Sequence, residues 1–279
     1  MTTNDSPRPS YRDDDRDRSS WGRGYGRLKG RTALVTGSTR GLGRTTIDWL
    51  AREGANIVVS GREQADVDAS VAAMREIGVE AWGFPADLSR IEDAHRLAEQ
   101  TLEAVGELDI LVNNAGMSIL GDFWDYTDEQ FDYQINVNLR SPFILAQHVA
   151  RNMIAHGRGG RIVNISTVGV TVAHTDRAIY NLAKGGVETM TRNMGIELAK
   201  YGVTVNCVSP GNMAERPGVT YEFTEEDMAA FQRQIPVGRV GNGDDIAAAV
   251  LWFCLPESGY TSGRMLLVDG LVSQYLRER

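Results

Sequence analysis

Tyr180 and Lys184 stand four residues apart in Tyr180-Asn-Leu-Ala-Lys184, and Thr167 lies thirteen residues upstream of the tyrosine, in Asn164-Ile-Ser-Thr167. On a helix that spacing puts phenol and ammonium on one face. A nearby ammonium favours the phenolate and lowers the phenol from its ordinary value of about 10. The phenol then becomes a usable proton donor near neutral pH, and a hydroxyl from another segment could hold a carbonyl oxygen beside it. Alone the spacing is weak evidence, because an ordinary amphipathic helix produces it often.

The elements that must position these groups are legible as alternating strands and helices. Strands are predicted over Arg31–Thr36, Ala55–Ser60, Glu80–Pro85, Leu108–Val112, Arg161–Ser166, Thr204–Val208 and Met265–Val268. Helices are predicted over Gly41–Glu53, Ala65–Ile77, Ile91–Val105, Asp128–Asn138, Pro142–His156, Arg177–Tyr201 and Asp244–Leu255 from their apolar period. Strands separated by helices imply right-handed βαβ units and a parallel sheet covered on both faces. The expected fold is α/β, a doubly wound, Rossmann-type parallel sheet of seven strands in a single domain.

Composition narrows the class. At 279 residues and 42% hydrophobic content, one large domain with a substantial core is expected. A formal charge of -8 argues against a nucleic-acid partner or an anionic membrane. Cys207 and Cys254 lie in apolar runs and read as buried thiols, and the four histidines show no metal-ligand spacing, so no metal is expected. No apolar run reaches the roughly 18 residues of a membrane span, and no secretory signal is evident, which points to the cytoplasm. Residues 1–27 carry six arginines against five aspartates with almost no aliphatic side chains, the composition of a disordered, solvated tail ahead of a domain over 28–279.

The first strand runs into Thr36-Gly-Ser-Thr-Arg-Gly-Leu-Gly43 and then a helix. Glycines let the backbone turn tightly beneath a pyrophosphate, and a helix N-terminus favours negative charge. The second strand ends in Ser60-Gly61-Arg62 with no carboxylate, and Arg40 lies inside the glycine loop. Two arginines and no acid at the strand end suit a 2′-phosphate, hence NADP(H). Asp87 and Asn113-Asn114 end the third and fourth strands, where open α/β sheets bind ligands; Asp87 reads equally as a helix cap and the asparagines as a turn.

Together these motifs closely resemble the short-chain dehydrogenase/reductase family and its NADP-preferring subgroup. The elements that match are Thr36–Gly43, Asp87, Asn113-Asn-Ala-Gly116, Val137-Asn138, Asn164–Thr167, Tyr180-x-x-x-Lys184 and Pro210-Gly211. The resemblance implies hydride transfer between a nicotinamide and a carbonyl or alcohol carbon, with Tyr180 as general acid/base. Lys184 would lower the phenol and hold the nicotinamide ribose, Asn138 would anchor a water of the proton relay, and Thr167 would stand for the family's serine. It implies cofactor contacts from Gly37, Thr39, Arg40, Gly41, Leu42, Gly43, Arg62, Asp87, Leu88, Asn114, Ala115, Gly116, Tyr180, Lys184, Pro210, Gly211 and Met213. Two departures stand out. Asn212-Met213 follows Pro210-Gly211 where many relatives carry a threonine, and Asp269-Gly270-Leu271 replaces a common Asp-Gly-Gly.

The expected reaction is that of a ketone or 3-oxoacyl-type reductase, with a sugar or polyol dehydrogenase as the alternative. An NADP-binding regulatory protein that lost turnover is the reading from another class. A substrate pocket is expected from Met117–Leu120, Gly169–Asp176 and Met213–Phe223, with a lid over about 212–235. Family members are commonly dimers or tetramers, so a small-molecule partner and a homo-oligomer, a tetramer first, are implied.

Overall fold

The computed structural model describes residues 24–214 and 224–274. The proposed tail lies mostly outside these residues, as does the greater part of the Met213–Phe223 segment of the expected lid. Seven strands form one sheet: β1 (Thr32–Val35), β2 (Asn56–Gly61), β3 (Ala81–Pro85), β4 (Ile110–Asn113), β5 (Gly160–Ile165), β6 (Val203–Pro210) and β7 (Met265–Val268). Their order is β3-β2-β1-β4-β5-β6-β7 and every adjacent pair is parallel.

The strands are nearly continuous runs of Val, Ile and Leu because both sheet faces are covered. In β1, Ala33 and Val35 join the layer formed by α1 (Gly41–Arg52), α2 (Gln64–Ile77) and α8 (Gly243–Cys254), while Leu34 joins the opposite layer. That second layer is built by α3 (Ile91–Val105), α5 (Ser141–His156) and α6 (Ala178–Leu198), through Leu97, Leu145, Val149 and Leu198. The alternation is the period-2 pleat of a strand, read on both faces. Cys207 and Cys254 are free and buried, and burial pushes each thiol up to about 12.

The helices expected over Asp128–Asn138 and Pro142–His156 differ from the observed ones. α4 (Asp128–Ile135) passes through a π-helical turn, Asn136–Arg140, directly into α5. Pro142 sits in the first turn of α5, where its missing N–H is tolerated, so it does not force a break. A further helix, α7 (Glu225–Gln234), precedes α8. Among the described residues, no helix is long and apolar enough to cross a membrane.

At the edge of the described chain, Arg27 donates through Nε and Nη2 to the buried carboxylate of Glu53, at 3.1 and 2.6 Å, and the Tyr25 N–H joins them. Burial raises Glu53, but these bonds outweigh it and the carboxyl lies below its usual range. The segment ahead of β1 is thereby stapled to the end of α1.

Candidate active site

The topological switch falls between β1 and β4, where the chain reverses its direction of progress across the sheet, and a cleft opens outside the carboxyl ends of the strands there. The cleft has a volume of about 350 Å³ and runs from Arg40, Arg62 and Asp66 at one end to Thr167, Arg177, Tyr180 and Met213 at the other.

The glycine loop builds the first end. Gly37 and Gly41 take left-handed backbone at φ 62 and 55, conformations that L side chains rarely adopt. A Cβ on Gly43 would collide with the Gly37 carbonyl, so the turn closes only around a bare glycine. Asn114 locks the loop: its Nδ2 donates to the carbonyls of Thr36 and Gly37 at 2.9 and 3.2 Å, and its N–H donates to Thr36 Oγ1. At the N-terminus of α1, Arg40 makes no side-chain capping bond and the first turn holds no acid. The first-turn amides therefore face the cleft without an internal acceptor, the arrangement that receives a phosphate.

Arg40 and Arg62 are exposed at this end and make no ion pair among the described residues. Glu63 and Asp66 share the lining, at the N-cap and in the first turn of α2, where negative charge offsets the helix dipole. Asp87 is neither free nor a helix cap: Oδ1 accepts from Ser89 N and Oγ at 3.0 and 2.8 Å, closing a turn ahead of α3. Asn113 points the other way, into a buried chain in which its Nδ2 donates to Asn164 Oδ1 and Asn164 Nδ2 donates to Thr191 Oγ1, each at 2.9 Å.

At the far end, α6 presents Tyr180 and Lys184 to the cleft, and β5 delivers Ser166 and Thr167. The adjacent hydroxyls part company. Ser166 is buried and donates to Glu188 Oε1 at 2.9 Å, and Ser209 donates to the same oxygen at 3.2 Å. Thr167 Oγ1 accepts from Gly169 N at 3.2 Å, which leaves its O–H as a donor. Tyr180 makes no hydrogen bond among the described residues, and its half-buried ring lies along the cleft wall.

One expectation about this end is corrected. Lys184 does not lower the phenol here. Its ammonium donates to the Ile165 carbonyl at 2.8 Å and lies 5.7 Å from the Tyr180 ring centroid. Burial instead pushes Tyr180 up to about 12, opposed only by the positive charge of Arg177, and burial brings Lys184 down to about 8. The Asn138 amide group braces the segment after β4. Nδ2 donates to the Met117 and Gln134 carbonyls, each at 2.8 Å, and Oδ1 accepts from Met117 N at 3.1 Å. Asn138 fastens the segment after β4 to the π-helical turn, a helix irregularity frequent at functional sites.

Of the residues expected at the site, all but Gly41 and Asn138 line the cleft. Sequence reasoning missed Ser60, Tyr133 and Arg177 as site residues, and they also line it. Arg177 had a local signal, three residues before Tyr180 and so on the same side of the helix start. Tyr133 had none, because only packing brings α4 over the cleft. Among the described residues, no three His, Cys, Asp or Glu side chains are grouped to hold a metal ion.

Residues 37–271 match the family described as "Enoyl-(Acyl carrier protein) reductase". The chain is 36% identical over 243 residues to the (2S)-[(R)-hydroxy(phenyl)methyl]succinyl-CoA dehydrogenase subunit BbsD of Thauera aromatica, covering 87% of this chain and 96% of the relative. It is 37% identical to the L-xylulose reductase of Mesocricetus auratus, with the same coverage of both chains. Among solved structures, a putative gluconate dehydrogenase from Agrobacterium tumefaciens superposes with a TM-score of 0.84 at 32% identity, over 89% of this chain and 98% of the other.

Proposed function

The chain belongs to the short-chain dehydrogenase/reductase family and is an oxidoreductase of alcohol and carbonyl groups, and from that premise we propose that it uses NADP(H) to interconvert a ketone and a secondary alcohol. One observation carries this reading: a single cleft joins the uncapped N-terminus of α1 to the hydroxyls of Thr167 and Tyr180. The glycine loop and the α1 amides would hold the pyrophosphate, Arg40 and Arg62 the 2′-phosphate, and Tyr180 with Lys184 the nicotinamide ribose. Once bound, the nicotinamide supplies or accepts hydride at the reacting carbon.

The chain's own groups handle the oxygen. Tyr180 donates its proton to the carbonyl oxygen in the reductive direction and takes it back in the oxidative one. Thr167 donates its O–H to the same oxygen as negative charge builds there, a preorganised interaction that is commonly a large catalytic term. Lys184, buried and anchored to Ile165, ties the helix that carries the phenol to the end of β5. Asn138 would anchor a water of the proton relay, beside the segment that its amide braces.

The rim favours a small ketone over an acyl chain on an acidic carrier protein. Gly121 N and Tyr126 Oη both donate to the Asp176 carbonyl, drawing the loop after β4 to the start of α6. That rim exposes Asp122, Asp125 and Asp176, and its segments 117–126 and 168–176 carry no lysine or arginine. Relatives named for a sugar and for gluconate keep a polyol or sugar-derived substrate within the reading.

The test is a titration of the purified protein with NADPH and NADH, followed by NADPH oxidation with a ketone panel. Tighter binding of NADPH and loss of turnover in Tyr180→Phe, with NADPH binding retained, are expected. Equal affinity for the two cofactors sinks the arginine argument, and surviving turnover in Tyr180→Phe sinks the acid assignment. NADPH binding with no turnover of any carbonyl would put the regulatory reading in its place.

A further inference from the structure

At the Tyr180 end, the cleft is walled by Met117, Ser118, Tyr133, Val137 and Met213, with one cation besides the buried Lys184 among the described residues. That cation is Arg177, the N-cap of α6, three residues before Tyr180 and lining the same cleft. Its Nε stands 3.5 Å from Asp176 Oδ1, while Nη1 and Nη2 have no hydrogen-bond partner among the described residues. Asp176 does not line the cleft, and its single contact at Nε leaves Nη1 and Nη2 available to a ligand.

Ser118 is a second unfinished group. The residue is 3% exposed, lines this part of the cleft, and its Oγ has no hydrogen-bond partner among the described residues. A buried hydroxyl left unpaired is costly, and a ligand oxygen would satisfy it.

Resting on the reaction read above, we propose that the substrate is an oxo acid or its hydroxy acid, with its carboxylate held by the free edge of Arg177 and a further oxygen bonded by Ser118. A planar guanidinium fork matches a carboxylate bidentately. No part of the cofactor asks for this charge: its phosphates belong at the glycine loop and at Arg40 and Arg62, and an oxidised nicotinamide is itself cationic. An anionic substrate resolves that juxtaposition of two positive groups. The carboxylate does not react. It fixes the neighbouring carbonyl against Tyr180 and Thr167.

The test uses matched pairs differing in one charge: 5-oxogluconate with L-sorbose, levulinate with methyl levulinate, and acetoacetate with methyl acetoacetate, each assayed for kcat/KM with NADPH. The expected acid-to-neutral ratio in at least one pair is about 10- to 100-fold in the wild type. Arg177→Met should bring that ratio to about one, and Arg177→Lys should restore part of it. Because the ratio is taken within each variant, a loss of folded protein cancels. A wild-type preference for the neutral member of every pair, or an acid preference that survives Arg177→Met, overturns the proposal while the reaction class stands. Turnover of none of the six by protein that binds NADPH overturns the reaction class itself.

Discussion

Lys184 donates to the main-chain carbonyl of Ile165 at 2.8 Å, so the ammonium is tied to the end of β5, the strand that delivers Thr167. The residue is 2% exposed, and burial lowers the ammonium to about 8. Helix and strand are thus joined at the catalytic end by a charge held at a cost.

That cost has a pH signature. In the unfolded chain Lys184 returns to its ordinary 10.5, so between about pH 8 and 10.5 the unfolded state holds a proton that the folded state has released. Stability therefore rises with pH in that window, by up to about 1.4 kcal/mol per unit. Tyr180 and the two thiols, raised by burial, act in the opposite sense, and the thiols begin to do so above about pH 9. Urea unfolding of wild type and Lys184→Met from pH 7.5 to 9 should show the wild type gaining on the variant by about 1 kcal/mol. A constant gap would mean that the buried charge is not destabilised.

The division of labour between Ser166 and Thr167 predicts opposite phenotypes. Thr167→Val removes the free donor and should lower kcat about 100- to 1000-fold with little change in cofactor binding. Thr167→Ser should stay within about tenfold of wild type, because it keeps the hydroxyl and loses only a methyl group that stiffens the rotamer. Ser166→Ala should act on stability, since it strips a partner from Glu188. Steady-state kinetics beside thermal melts separate the two.

Leu271 occupies left-handed backbone at φ 71, the position where the family's common Asp-Gly-Gly carries its final glycine. Its side chain is more than half exposed, and its N–H is held by Asp269 Oδ1 at 3.0 Å. A leucine pays about 1–2 kcal/mol there, partly offset in any glycine variant by the freedom glycine gains when unfolded. Leu271→Gly should raise stability by about 0.5–1 kcal/mol and the melting temperature by about 1–3 °C. A decrease would show that the leucine packs against something outside the described residues.

Exposed apolar side chains gather on α4 and α5, where Phe131, Phe143 and Ile154 stand 42%, 46% and 37% exposed. Trp252 on α8 and Leu266 on β7 form another exposed apolar set. Two patches suit an assembly with two kinds of contact, in keeping with the proposed tetramer. Light scattering should give a multiple of the 30.6 kDa chain mass, and Phe143→Glu with Ile154→Glu should halve it. A monomeric wild type would end the proposal.

Much of this architecture is readable in the chain because its signals are local. The apolar period of Ile91–Val105 and the short run Met265–Val268 return the observed bounds, and Gly37, Gly41 and Gly43 mark a turn that needs bare backbone. Lys184 and Tyr180 share a helix face by spacing alone. The π-helical turn at Asn136–Arg140 was not readable, since proline in the first turn of α5 looks like a break until the helix is seen passing through it.

Residue order and spacing were enough to determine the doubly wound sheet, the glycine loop and the residues that meet near Tyr180, because helix and strand periods and tight-turn chemistry act over a few neighbours. Tertiary structure decided what those residues do there. It turned Ser166 toward Glu188 and left Thr167 as the donor. It drew Lys184 to Ile165 and let burial, rather than charge pairing, govern the phenol. It also put Arg177 and Ser118 into the lining of one cleft, although 59 positions separate them in the chain. Desolvation and the partners a group finds are properties of the packed environment, and no pattern of neighbours along a chain encodes them.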